Sequence, residues 1–315
     1  MISRRILRIK VLQAIYSHFT STKSLVDSEK ELFFSIQKSV DLFYYLLLLI
    51  IDVKNYALSV MEMRKNKKRP KEDDLNPNVK FIDNQLIRQL EDNKMLKNKL
   101  EQKKLSWVQY PEFIRGLFNT IEDSEEYKMY MKDSKRNYQS DKKLIIDIYS
   151  KYIIDYDQLY NNLEDQSVFW NSEIDYIITL IIRIFKSYDK EDGHERQLVD
   201  NELSESDADY TKRLFRKTII NAEEYRRMIE QFTQNWDIER IAFMDILIMQ
   251  MTISELIEFS NIPKKVSLNE YIDIAKLFST KNSAQFINGI LDKVVKQLEE
   301  EKRIVKKGRG LKENI

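Results

Sequence analysis

Glycine and proline set the first limit on what this chain can become. There are 5 glycines and 4 prolines in 315 residues, where average usage would give roughly 22 and 16. A sheet-rich fold needs turn residues at short intervals. Their scarcity leaves long helices joined by few loops, and 43% hydrophobic residues are ample for a core. The chain therefore reads as all-α, with length enough for more than one domain. Cysteine is absent, which removes disulfides and thiolate chemistry and suits a reducing compartment.

Hydrophobic periodicity and breakers divide the chain. Ser3 is placed to cap a first helix running to about Phe19, and Ser28 to Met63 predicts a long second one. Pro70 and Pro77 block its continuation, so Arg64 to Val79 reads as a linker. Helical segments follow at Phe81–Lys104, Tyr110–Phe118, Ser124–Met131, Lys142–Leu163 and Ser172–Tyr188. The acidic stretch Asp189 to Asp209 reads as a second linker. Asp209–Phe232 and the apolar Ile238–Phe259 come next, stopped by Asn261, Ile262 and Pro263. Ser267 to Glu270 has the form of a capping box for the next helix, which runs to Phe278. A last helix carries Phe286, Ile290, Leu291, Val294 and Leu298 on its core face. The expected division is 1–63, an insertion at 64–209, a C-terminal bundle at 210–300 and a basic tail at 301–315. Residues 115–127 and 213–225 also match at six of thirteen positions, as a duplication or as two similar amphipathic helices would.

The net charge is +1, so nothing global attracts a polyanion; local patches would have to. Both ends supply them: Arg4, Arg5, Arg8, Lys10 and Lys23 precede the first acid, and six cations follow Glu301. The same arginines interrupt any secretory apolar stretch. The greasiest run, Leu42 to Ile51, is ten residues long, where crossing a bilayer takes ~20. It reads as a buried helix in a cytoplasmic protein, with no membrane partner.

Catalytic patterns are missing. Gly116, Gly193, Gly289, Gly308 and Gly310 assemble no phosphate loop or dinucleotide fingerprint. His18 and His194 are far apart, and a zinc site without cysteine would need both. Paired acids such as Asp73-Asp74 and Glu125-Glu126 sit in strongly charged segments that solvated helix faces explain. No enzyme and no cofactor is called for.

Arg4-Arg5-Ile6-Leu7-Arg8, the P-x-K-V-x-x-N-E element at Pro263–Glu270 and the F-x-N-G-x-L-D-K element at Phe286–Lys293 together resemble the NusB family of transcription antitermination factors. The resembling material covers roughly residues 1–60 and 207–298. It implies NusB-like helical bundles, here with an additional helical insertion lobe. It also implies binding of boxA-type single-stranded RNA in ribosomal RNA transcripts, with NusE (a small-subunit ribosomal protein) as partner, within an RNA polymerase antitermination complex. The RNA positions it implies are Arg4, Arg5, Arg8, Lys276, Asn282, Phe286 and Asn288. The partner positions are Tyr16, Glu239 and Asp245.

The residues themselves agree in part. At about 100° per residue, Arg4, Arg5 and Arg8 share one sector of their helix, where guanidinium groups can grip phosphates or stack on bases. Charge alone is equally consistent with a solvated basic face. Gly289 inside a helix costs ~1 kcal/mol relative to alanine, which close approach of RNA or tight helix packing would each explain. Phe286 and Tyr16 fit core positions as well as surface ones, and Glu239 and Asp245 in first turns also complement a helix dipole. Asn282 stands where the family commonly has an acid, and the loss of that negative charge should ease the approach of RNA. Three departures stand out: the long insertion, Ile6 within the arginine run, and Ser254 where the family prefers an aromatic. Two alternatives remain: a helical protein–protein adaptor, or a relative of ribosomal RNA methyltransferases, against which the absent cysteines and cofactor loop argue.

Overall fold

The computed structural model describes residues 3–170, 172–199, 203–233, 241–280 and 282–311. Every regular element among them is helical. The first ten α-helices are α1 Arg4–Thr20, α2 Leu25–Lys65, α3 Glu72–Leu75, α4 Gln85–Asp92, α5 Lys94–Lys103, α6 Pro111–Asp123, α7 Glu125–Lys132, α8 Tyr138–Asp147, α9 Asp157–Gln166 and α10 Ile174–Ser187. They are followed by α11 Glu205–Ile220, α12 Ala222–Gln231, α13 Phe243–Glu258, α14 Lys264–Phe278 and α15 Ser283–Glu300. The chain forms two compact units: Met1–Ile36 with Glu202–Ile315, and Gln37–Asn201.

In the first unit, α13 is the hub. Its residues from Asp245 to Leu256 are all buried, as a helix apolar on every side requires. Around it pack α1, α11, α12, α14 and α15. Ser3 caps α1 as expected, its Oγ accepting from the Ile6 N–H. The expected capping box is corrected. Pro263 takes the N-cap position and α14 begins at Lys264, because the fixed φ of proline suits a helix entrance. Ser267 lies inside that helix, fully buried.

The second unit begins earlier than residue 64. The run Leu42–Ile51 is buried at every position but Leu48, against aromatic residues 62 and 103 positions further on. Trp107 stacks on Tyr45 at 3.9 Å and donates its Nε1–H to the Tyr45 carbonyl at 3.0 Å. Tyr149, in the π-helical turn Ile148–Ile153, donates to the Leu46 carbonyl at 2.7 Å. Helix α2 is long and apolar enough to cross a membrane, but 83% of its most apolar window is buried by the protein itself. The segment Phe81–Lys104 is broken at Asn93, whose Oδ1 caps α5 through the Leu96 N–H. Both copies of the internal echo form a helix, a short corner and a helix, with Tyr127 and Tyr225 in the cores.

Candidate nucleic-acid interface

The arginines of α1 do not share one environment. Ile6 to Leu12 is buried without a break, so the sector holding Arg8 faces protein rather than solvent. Arg8 is 3% exposed, and its Nε and Nη2 donate to the two carboxylate oxygens of Glu255 at 2.9 Å each. This corrects its reading as an RNA contact.

Glu255 is fully buried and also accepts from Ser267 Oγ at 2.7 Å, Tyr271 OH at 3.2 Å and Tyr210 OH. Burial pushes its carboxyl up, but the Arg8 guanidinium and the hydroxyl donors outweigh that and hold it below its ordinary value. Burial, with Glu255 alongside, drives both tyrosine hydroxyls well above theirs. The cluster is a satisfied polar core, of the kind that fixes how helices meet. It ties α1, α11, α13 and α14 together.

Arg4 and Arg5 lie nearer the surface. Arg4 sits over the Tyr210 ring at 4.8 Å and pairs with Asp207 at 3.3 Å. Arg5 pairs with Glu270 at 3.1 Å and Asp273 at 2.7 Å. Their side chains remain 35% and 39% exposed. Lys276 is exposed and pairs with the same Asp273 at 2.9 Å, so one carboxylate links it to Arg5.

Between the start of α1 and the corner before α14 lies an open cleft of about 560 Å³. Its walls are Ser3, Arg4, Arg5, Arg8, Asn261, Ile262, Pro263, Val266, Glu270 and Arg309. Arg309 was not foreseen: nothing in the charge pattern of the tail singles out one cation. The described part of the tail is held here by Lys306, whose Nζ donates to the Leu256 and Phe259 carbonyls at 3.0 Å each. Burial pulls that ammonium down to about 8, against the opposing influence of Glu255.

Residues of α15 complete the expected set. Asn282, exposed, is the N-cap, with Phe286 half-buried in the first turn. Asn288 is exposed and its Nδ2 lies 3.4 Å from Asp292 Oδ2. A Cβ added at Gly289 would meet nothing within 4 Å. Tight helix packing therefore does not explain this glycine.

The expected partner residues separate. Glu239 lies outside the described residues. Asp245 is 4% exposed, with Oδ1 lacking a hydrogen-bond partner, so its reading as a surface contact is corrected. Tyr16 is 42% exposed, its ring 5.8 Å from Phe243. Phe243 lies 6.3 Å from Phe19, and both are 41% exposed. Phe19 and Phe243 were missed; the i, i+3 spacing of Tyr16 and Phe19 at the end of α1 was the available signal.

A family model described as the NusB family matches residues 179–296, which take in the end of α10, all of α11 to α14 and most of α15. The transcription antitermination protein NusB of Natranaerobius thermophilus is 39% identical over 97 residues, covering 31% of this chain and 70% of that protein. That of Alkaliphilus oremlandii is 34% identical over 103 residues, covering 33% and 75%. The chain belongs to the NusB family. The NusB protein of Salinibacter ruber is 42% identical over 106 residues, which span 34% of this chain and 66% of that protein, just under two thirds. Among solved structures, T. maritima NusB matches at 26% identity with a TM-score of 0.29, covering 38% of this chain and 82% of that one. The NusB match omits α1, which packs against α11 and α13 within the matched bundle. It also omits most of residues 37–201, the second compact unit.

Proposed function

We propose that this NusB-family chain is a non-enzymatic transcription antitermination factor of the cytoplasm. BoxA-type single-stranded RNA of ribosomal RNA transcripts lies along the cleft of the first unit, and NusE binds beside it within an RNA polymerase antitermination complex. The observation that carries the RNA reading is the cleft between α1 and the P-x-K-V-x-x-N-E corner, with half-exposed Arg4 and Arg5 on its wall. Lys276, Asn282 and Asn288 are exposed on α14 and α15, where phosphates and unpaired base edges can reach them. Phe286 offers a half-buried ring for stacking. Open space around Gly289 leaves room for an RNA backbone to approach. The exposed rings of Tyr16, Phe19 and Phe243 suit a protein partner, since aromatic anchors dominate such interfaces.

The test is equilibrium binding of a boxA-type RNA to the full chain across a salt series. Arg8 has to be left intact, because removing it strands a buried carboxylate. In Arg4→Ala/Arg5→Ala the salt slope is expected to fall by about 1.4, the loss of two phosphates at about 0.7 each on a single strand. An unchanged slope and affinity in this variant would refute the assignment. A helical adaptor is the second reading, and one observation favours it: Arg4, Arg5, Arg8 and Lys276 are matched by Asp207, Glu255, Glu270 and Asp273. Wild-type chain that captures NusE but no RNA would establish it.

A further inference from the structure

The four cations expected at the RNA surface are met by four carboxylates, so they leave the cleft close to electrically neutral. A polyanion is drawn only where positive charge is in excess. The C-terminal tail brings that excess. Past α15, Lys302 turns the chain with φ +56°. Arg303 then anchors it, donating its N–H to the Leu298 carbonyl at 2.9 Å and pairing with Glu224 at 2.7 Å.

Two further locks press the tail onto the end of α13. Lys306 caps the Leu256 and Phe259 carbonyls, among the acceptors that a helix C-terminus leaves unsatisfied. The Lys307 N–H donates to the Ser260 carbonyl at 2.9 Å. Gly310 is buried, and a Cβ there would stand 2.0 Å from the Ser260 oxygen. Only glycine fits that contact. Between Gly308 (φ +54°) and Gly310, Arg309 is held on the wall of the cleft. Its side chain is exposed, and among the described residues no carboxylate pairs with it.

We propose that residues 302–311 are a strap that completes the cleft, and that Arg309 is a phosphate-contacting residue of the site. The ligand class is a single-stranded polyribonucleotide held through its phosphodiesters, so the inference rests on the RNA reading of the same cleft. A guanidinium with no carboxylate partner among the described residues suits this role better than its neighbours, because it gives up none of them to take a phosphate.

The experiment measures binding of a boxA-type RNA to the full chain between about 0.05 and 0.3 M salt. Arg309→Ala is expected to lower the slope by about 0.7, which is about a fourfold loss of affinity at about 0.15 M salt from counterion release alone. Gly310→Val, which forces the strap off Ser260, is expected to lose at least as much while leaving the helical content unchanged. Lys302→Ala removes the same charge from a residue that does not line the cleft, and is expected to lose less than Arg309→Ala. If Arg309→Ala and Gly310→Val bind like wild type while Arg4→Ala/Arg5→Ala is weakened, the strap is overturned and the RNA reading stands. Equal losses in Lys302→Ala and Arg309→Ala would reduce the tail to diffuse charge and also overturn it. No binding by wild type would remove both.

Discussion

Glu255→Ala is expected to destabilise the first unit by about 3–5 kcal/mol, the usual cost of leaving a buried charge without its partner. Arg8, 3% exposed in the intact protein, would keep a 3.4 Å contact to Glu270 as its one carboxylate partner among the described residues, beside the Tyr210 and Tyr271 rings at 5.8 Å. Ser267, Tyr210 and Tyr271 would each lose an acceptor in a space that water does not reach. Replacing both charged partners by apolar residues of similar volume should cost far less than either single change, because no ion is then stranded. Native-state hydrogen exchange at the amides of α1 and α13 is the suitable measure, since a chain of two compact units need not unfold in one transition. The pH dependence follows from the sign of the shift. The folded carboxyl lies below its ordinary value of 4.5. Its contribution is therefore complete above the ordinary carboxylate range and is lost only as pH falls through the lower folded value. Ordinary exchange protection in Glu255→Ala would show that the cluster contributes nothing.

The second large effect is expected in the other unit. Trp107 is 1% exposed, stacked on Tyr45 and with its ring centroid 5.0 Å from that of Phe113. Trp107→Ala should cost about 3–5 kcal/mol through lost contact and the cavity left behind. Urea denaturation followed by tryptophan-independent far-ultraviolet dichroism would read it. The RNA affinity of the variant should stay within about twofold of wild type, because the described residues of 37–201 supply none of the cleft's walls and sites without shared partners act additively. A parallel loss of RNA binding would mean that the second unit takes part in recognition.

What the sequence made legible was local. Few glycines and prolines force long helices, Ser3 announces a helix start, and the two motifs near the C-terminus carry the family. Arg8 escaped because the sector argument considers α1 by itself, whereas the partner that buries it, Glu255, is 247 residues away. Ser267 looked like a cap for a similar reason: its pattern with Glu270 is correct, but Pro263 starts the helix one turn sooner and both side chains serve the arginine cluster. The length of α2 was readable, but not that its apolar middle belongs with Trp107 and Tyr149. A basic tail has no period to betray its docking. Gly310 needed the Ser260 carbonyl beside it before its purpose was visible.

The most direct measurement is photo-crosslinking of a 4-thiouridine-substituted boxA-type RNA to the full chain, with the linked peptides mapped by mass spectrometry. Adducts are predicted on residues 3–5, 261–276, 282–289 and 303–311. Adducts confined to residues 37–201, with the first unit unmarked, would contradict an RNA site on the NusB bundle.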